Sequence, residues 1–171
     1  AMNRRGGYTV YVKDRLPEGA ADSIDVTNVS ALHAGDTDAV AAAIRDARLV
    51  STAVGAGALP KLFPVIAAGL QLRHEPLSIL FCENMRGAAK MAEEGLRKHL
   101  PRDYAFSENV GLVETSIGKM VPIMPQKVRD RDPLEVWAEA YNKIIADKEG
   151  FADSPPDIDG LTYHASSDPA V

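Results

Sequence analysis

The sequence holds one cysteine in 171 residues, and one cysteine makes no internal disulfide. Its four histidines, His33, His74, His99 and His164, are scattered. No Cys/His spacing suits a metal, and no histidine sits where a general base would be recognised. No metal site is expected. Both facts fit a reducing compartment, and the expected location is cytoplasmic. A run of about 18 apolar residues is also missing, which excludes a membrane-spanning helix. The opening Ala1-Met-Asn-Arg-Arg-Gly-Gly7 lacks the apolar stretch of a secretion signal. Residues 1–7 are expected to be a tag remnant and an unstructured start. Basic charge is in deficit: 19 Lys and Arg against 24 Asp and Glu give a net charge of −5. A nucleic-acid partner, which needs a clustered basic surface, is therefore not expected. The lone tryptophan, Trp137, makes no binding platform and is expected to pack against a sheet.

What the chain does have is 46% hydrophobic and 25% charged residues, the balance of a globular domain. Tyr8–Lys13 and Ile24–Val29 alternate apolar and polar residues around a loop with Pro17 and Gly19, which predicts a hairpin. Asp36 or Thr37 caps a helix running to Ala47. A short β-rich run, Arg48–Val54, leads into Gly55-Ala-Gly-Ala58, and a helix from Leu59 to Leu72 follows beside Pro60. Leu77–Cys82 is almost wholly apolar, as a strand covered on both faces should be. The next helix is expected from Met85 to Leu100, with Ala88, Met91, Ala92, Gly95, Leu96 and His99 inward. Strand and helix in alternation predict an α/β fold, a doubly wound parallel sheet with right-handed crossovers and an added hairpin. Ligands of such sheets sit beyond the carboxyl ends of the strands, so Thr52–Gly55 and Cys82–Asn84 should open on one side. Val110–Val121 reads as a strand passing into a loop. Asp132–Glu135 has capping-box spacing while Glu135–Glu139 alternates, and periodicity does not arbitrate. The tail from 151 to 171 is expected to be irregular.

Five short motifs occur in order: Thr52-Ala-Val-Gly55, Cys82-Glu-Asn-Met85, Val110-Gly-Leu-Val-Glu114, Met120-Val-Pro122 and Asp132-Pro-Leu-Glu-Val136. Together they resemble the cofactor domain of the long-chain mannitol dehydrogenase family, in particular its mannitol-1-phosphate 5-dehydrogenase members, from about Tyr8 to Leu161. The resemblance implies a Rossmann-type domain over residues 8–150. It also implies NAD as cofactor and hydride transfer between mannitol 1-phosphate and fructose 6-phosphate. The family's Gly-rich opening unit and its helical substrate domain, with a catalytic lysine, have no counterpart here. No catalytic residue is expected within the chain, nor activity from it alone. The missing opening unit would bare a sheet edge, which a second copy of the chain is expected to cover.

The resemblance implies a cofactor lined by the backbones of Thr52, Val54 and Gly55. Asn84 would orient cofactor or substrate, and an amide there donates without titrating. Glu114 and Asp147 would face a small polyol phosphate. Glu83 is read as structural, binding amides at the start of the following helix. Cys82 is read as a core residue, not a nucleophile. Gly118-Lys119 departs from the family's Asp-Arg, and Ile144 stands where a tryptophan is usual. Two rival readings accompany this one: a non-catalytic remnant serving as an interaction or regulatory module, and a dehydrogenase of an unphosphorylated polyol or sugar acid.

Overall fold

A computed structural model describes residues 1–14, 22–119 and 121–165. By its internal contacts the chain divides into two compact units. The first joins Ala1–Leu32 with Gly118–Lys143, and the second joins His33–Ile117 with Ile144–Val171. The first begins with α1 (Met2–Arg5), β1 (Gly7–Val12) and β2 (Ser23–Thr27). The second contributes α2 (Thr37–Asp46), β3 (Leu49–Thr52), a 3₁₀ turn (Leu59–Leu62), α3 (Phe63–Gln71), β4 (Leu77–Phe81), α4 (Ala88–Leu96), α5 (Phe106–Asn109) and β5 (Val110–Ile117). The chain returns to the first unit for α6 (Gln126–Arg131) and β6 (Glu135–Ala138), then closes the second with β7 (Ile144–Asp147) and β8 (Leu161–His164).

In the first unit the sheet order is β2-β1-β6. The expected hairpin forms: β1 and β2 are antiparallel, with Tyr8 opposite Val26 and Val10 opposite Ile24. Its loop with Pro17 and Gly19 lies outside the described residues. β6 runs parallel to β1, with Val10 opposite Val136. Paired residues share a face, so Tyr8, Val10, Val26 and Val136 stand opposite Thr9, Tyr11, Asp25 and Trp137. The alternation at Glu135–Glu139 thus resolves as a strand. Glu135 is buried there and accepts hydrogen bonds from Arg131 (2.5 Å) and the Trp137 indole (2.8 Å). The Lys13 ammonium lies 4.7 Å from the Trp137 ring centroid, a cation–π contact. The start of the chain is not unstructured as expected. Met2–Arg5 forms a helical turn, and the Arg5 guanidinium grips Asp132 with two bonds of 2.8 and 3.1 Å.

The second unit carries a five-stranded sheet in the order β3-β4-β5-β7-β8. β3, β4 and β5 are parallel, β7 is antiparallel to β5, and β8 is parallel to β7. All five residues of β4 are buried, as its apolar run predicts. Leu77, Ile79 and Phe81 join Ile44 of α2, Phe63, Ile66 and Leu70 of α3, and Ala92 and Leu96 of α4 in one cluster. A second cluster, Leu80, Val113 and Ala146 with Phe151, Leu161 and Tyr163, draws on no helix. The tail expected to be irregular therefore supplies an edge strand, because Leu161 and Tyr163 alternate with Thr162 and His164.

Local chemistry explains the boundaries. Asp36 caps α2, its carboxylate accepting from the Ala39 amide at 3.1 Å. The helix expected from Leu59 to Leu72 is divided. Pro64 has no N–H to donate to Pro60, so the first turn tightens to 3₁₀ before α3 begins. α4 starts at Ala88 and not at Met85, since Gly87 sits in the left-handed region at φ 75°. It ends at Leu96, which leaves His99 exposed rather than inward. Gly95 is required where α4 meets α3, because a Cβ there would stand 2.1 Å from the Phe63 ring.

Candidate functional site

Because β3 and β4 are parallel and in register, with Thr52 opposite Phe81, the segments that follow them emerge on one rim. Gly55 and Asn84 therefore lie on the same side of the sheet, as the sequence pattern requires. Val54 is 45% exposed, and Asn84 is exposed as well. Gly55 adopts φ 84°, a conformation that favours glycine, and neither Gly55 nor Gly57 has an atom within 4 Å of where a Cβ would point. The turn is open to a flat or ring-shaped group.

Glu83 ties the two strand ends together. Its side chain crosses to the turn after β3, where Oε2 accepts from Gly55 N at 2.7 Å and Oε1 from Val54 N at 3.0 Å. The expectation that Glu83 binds the start of the following helix is thus corrected: it binds the turn before α3. Only 8% of Glu83 is exposed. Burial pushes its carboxyl pKa up; donation from Val54 N and Gly55 N, with the Thr52 hydroxyl nearby, outweighs burial and holds it below the ordinary carboxylate range.

Glu114 fills the role foreseen for Glu83. It is level with Phe81 at the end of β4, and its Oε1 accepts from Ala89 N in the first turn of α4 at 2.8 Å. α4 needs this help because its own capping position is Gly87, which has no side chain. Glu114 is accordingly placed as a helix cap. Thr52 lies deeper than a cofactor-lining residue would. It is 3% exposed, its carbonyl accepts from Cys82 N, and its hydroxyl makes no regular hydrogen bond. Asp147 accepts from Glu149 N at 3.0 Å and pairs with His164 across β7 and β8; the register brings it level with Glu114. Cys82 is half-buried beside the second cluster, and burial raises its thiol pKa, as befits a core residue. The rim thus gathers Val54, Gly55 and Asn84, while Thr52 and Glu114 are turned to structural tasks.

The described residues contain no group of three or more His, Cys, Asp or Glu that could hold a metal. None of their helices is long and apolar enough to cross a membrane.

A parallel β3-β4-β5 core flanked by helices, with the strand ends opening on one rim, is a Rossmann-like α/β arrangement. The family profile "Mannitol dehydrogenase Rossmann domain" matches residues 1–160, and the chain belongs to that family. Among solved structures the chain is similar to Pseudomonas fluorescens mannitol 2-dehydrogenase, a ternary complex with NAD and D-mannitol. That likeness has a TM-score of 0.74 and 13% identity, over 95% of this chain and 43% of that one. It is also similar to a PanE/ApbA family ketopantoate reductase from Ralstonia eutropha, with a TM-score of 0.52, 13% identity, and 94% and 44% of the two chains covered. The chain thus spans less than half the length of each of these two structures.

Proposed function

We propose that this chain is the cofactor-holding part of an NAD-dependent polyol dehydrogenase. The observation that carries the reading is the meeting of Val54, Gly55 and Asn84 on one rim beyond parallel strands, with Glu83 bonding the two strand ends together. Membership of the mannitol dehydrogenase family supports it, as does the likeness to an enzyme whose solved complex holds NAD and D-mannitol.

The rim suits the nicotinamide-ribose half of the cofactor. Gly55 and Gly57 leave room for a ring, and Asn84 offers an amide that donates or accepts at any pH. A bound nicotinamide supplies the hydride acceptor; the chain's own residues bind and orient it. The proton released from the substrate hydroxyl goes to a base outside the rim, whose described side chains include no lysine or histidine. As substrate we favour mannitol 1-phosphate, oxidised to fructose 6-phosphate, on the motif resemblance. An unphosphorylated polyol is the variant without phosphate recognition.

A second reading, a non-catalytic interaction module, is favoured by one observation. The amides of the Gly-rich turn are already taken by Glu83, so this turn is no phosphate cradle. Under either reading we propose that a second copy covers β3, which stands at the edge of the sheet in the second unit. Titration of the purified chain with NADH, followed by nicotinamide fluorescence, separates the two readings. Saturable binding with enhanced emission supports the dehydrogenase part, and a flat titration supports the module.

A further inference from the structure

We infer that Glu83 is a specificity-determining residue that closes the β3–α3 turn to phosphate and reserves it for the uncharged or cationic half of a bound dinucleotide. The inference rests on the dinucleotide reading above and adds to it which part of the ligand the turn accepts.

Successive backbone N–H groups that converge on one point form an anion-binding concavity. The Val54 and Gly55 amides do so, both meeting the Glu83 carboxylate at 2.7 to 3.2 Å. A glycine-containing turn between a strand and a helix would otherwise be a natural seat for a phosphate. Here the anion is built into the chain. The carboxylate is almost fully buried, so it does not swing away into solvent at little cost. Glu83 takes part in none of the ion pairs found among the described residues, and the two amides are what its carboxylate meets. An incoming phosphate would have to displace one anion and approach under repulsion from it. A ribose carries hydroxyl donors and no charge, and an oxidised nicotinamide ring is cationic. Both are compatible with a fixed carboxylate at this place. The pyrophosphate of the same ligand must then be held elsewhere.

The test follows the Val54 and Gly55 amide signals in two-dimensional NMR spectra of the wild-type chain and the Glu83→Ala variant. Each is titrated in turn with inorganic phosphate, acetate and NAD⁺. In the wild type the two signals should ignore phosphate and acetate and shift with NAD⁺. In Glu83→Ala, acetate should fill the vacated place, and phosphate should bind with an affinity gained by about tenfold or more. If removing the whole side chain unfolds the protein, Glu83→Gln decides the matter. It keeps the volume and loses the charge, and a smaller gain in phosphate response is expected, since the repulsion goes while its amide oxygen still accepts from the two amides. Wild-type amides that shift with phosphate would overturn the inference. So would a folded variant whose amides remain indifferent to both anions. A wild type in which no signal moves with NAD⁺ contradicts the dinucleotide reading instead, while the phosphate and acetate arms still judge Glu83.

Discussion

Glu114 on β5 reaches the first turn of α4, its carboxylate 2.8 Å from the Ala89 amide. A strand residue thereby does for α4 what a capping side chain does for an ordinary helix. Glu114→Ala should cost about 1 kcal/mol, the usual price of a lost cap, and Glu114→Gln less, since an amide oxygen still accepts. Urea denaturation midpoints check this. Nicotinamide binding should be almost unchanged in Glu114→Gln.

Arg73 clasps the end of α2 to the approach of β4. Its guanidinium donates to the carbonyls of Ile44 (2.8 Å), Arg45 and Ala47 (2.7 Å), and to those of Glu75 and Pro76 at 3.1 Å each. Ile44 and Arg45 lie in the last turn of α2, where carbonyls lack the regular helical partner four residues on, and Ala47 follows directly. Arg73→Ala should destabilise the chain by about 2 kcal/mol, and Arg73→Lys by less, since a lysine keeps the charge but not the planar fork. Thermal unfolding of the two variants beside the wild type checks the order.

Gly95→Ala trades a gain in helix propensity against a collision. Alanine is better than glycine in a helix by about 1 kcal/mol. Its methyl group would stand 2.1 Å from the Phe63 ring, and overpacking of this kind costs about 1–3 kcal/mol. A net loss of stability is expected in urea denaturation; a net gain would show that α3 and α4 separate freely.

Acid should act on Glu83 in a defined direction. Its carboxyl pKa is held below the ordinary value of about 4.3 in the folded chain. The stability that its charged form contributes is therefore whole at neutral pH and is lost as the pH falls below that value through the folded pKa. Glu83→Gln should flatten the part of the stability profile below about pH 4 and leave the slope above pH 5 as it was. Denaturant midpoints measured across that range check the sign.

Most of the elements that frame the rim were legible in the sequence. The apolar run of β4, the Asp36 cap and the alternation of strand and helix each have a local cause that acts within a few residues. What the sequence hid is what depends on contacts across the sheet. Glu114 takes the helix-capping task foreseen for Glu83, and Glu83 ties the turn after β3 instead, because side-chain reach between neighbouring strands is set by register, which periodicity does not report. A clue to Glu83 was present: an acid immediately after a fully apolar strand, beside a neighbouring Gly-rich turn that has amides to satisfy. The division into two units and the return of the tail as β8 were equally non-local. Pro64 was visible, and its missing N–H accounts for the 3₁₀ turn ahead of α3.

The central claim is that the rim at Gly55 and Asn84 receives the nicotinamide-ribose half of NAD, and crystals grown with NADH test it most directly. The account predicts difference density for a ribose and nicotinamide ring against Val54, Gly55 and Asn84, with the Glu83 carboxylate still on its two amides. A phosphate on those amides, or a cofactor bound away from this rim, would contradict it.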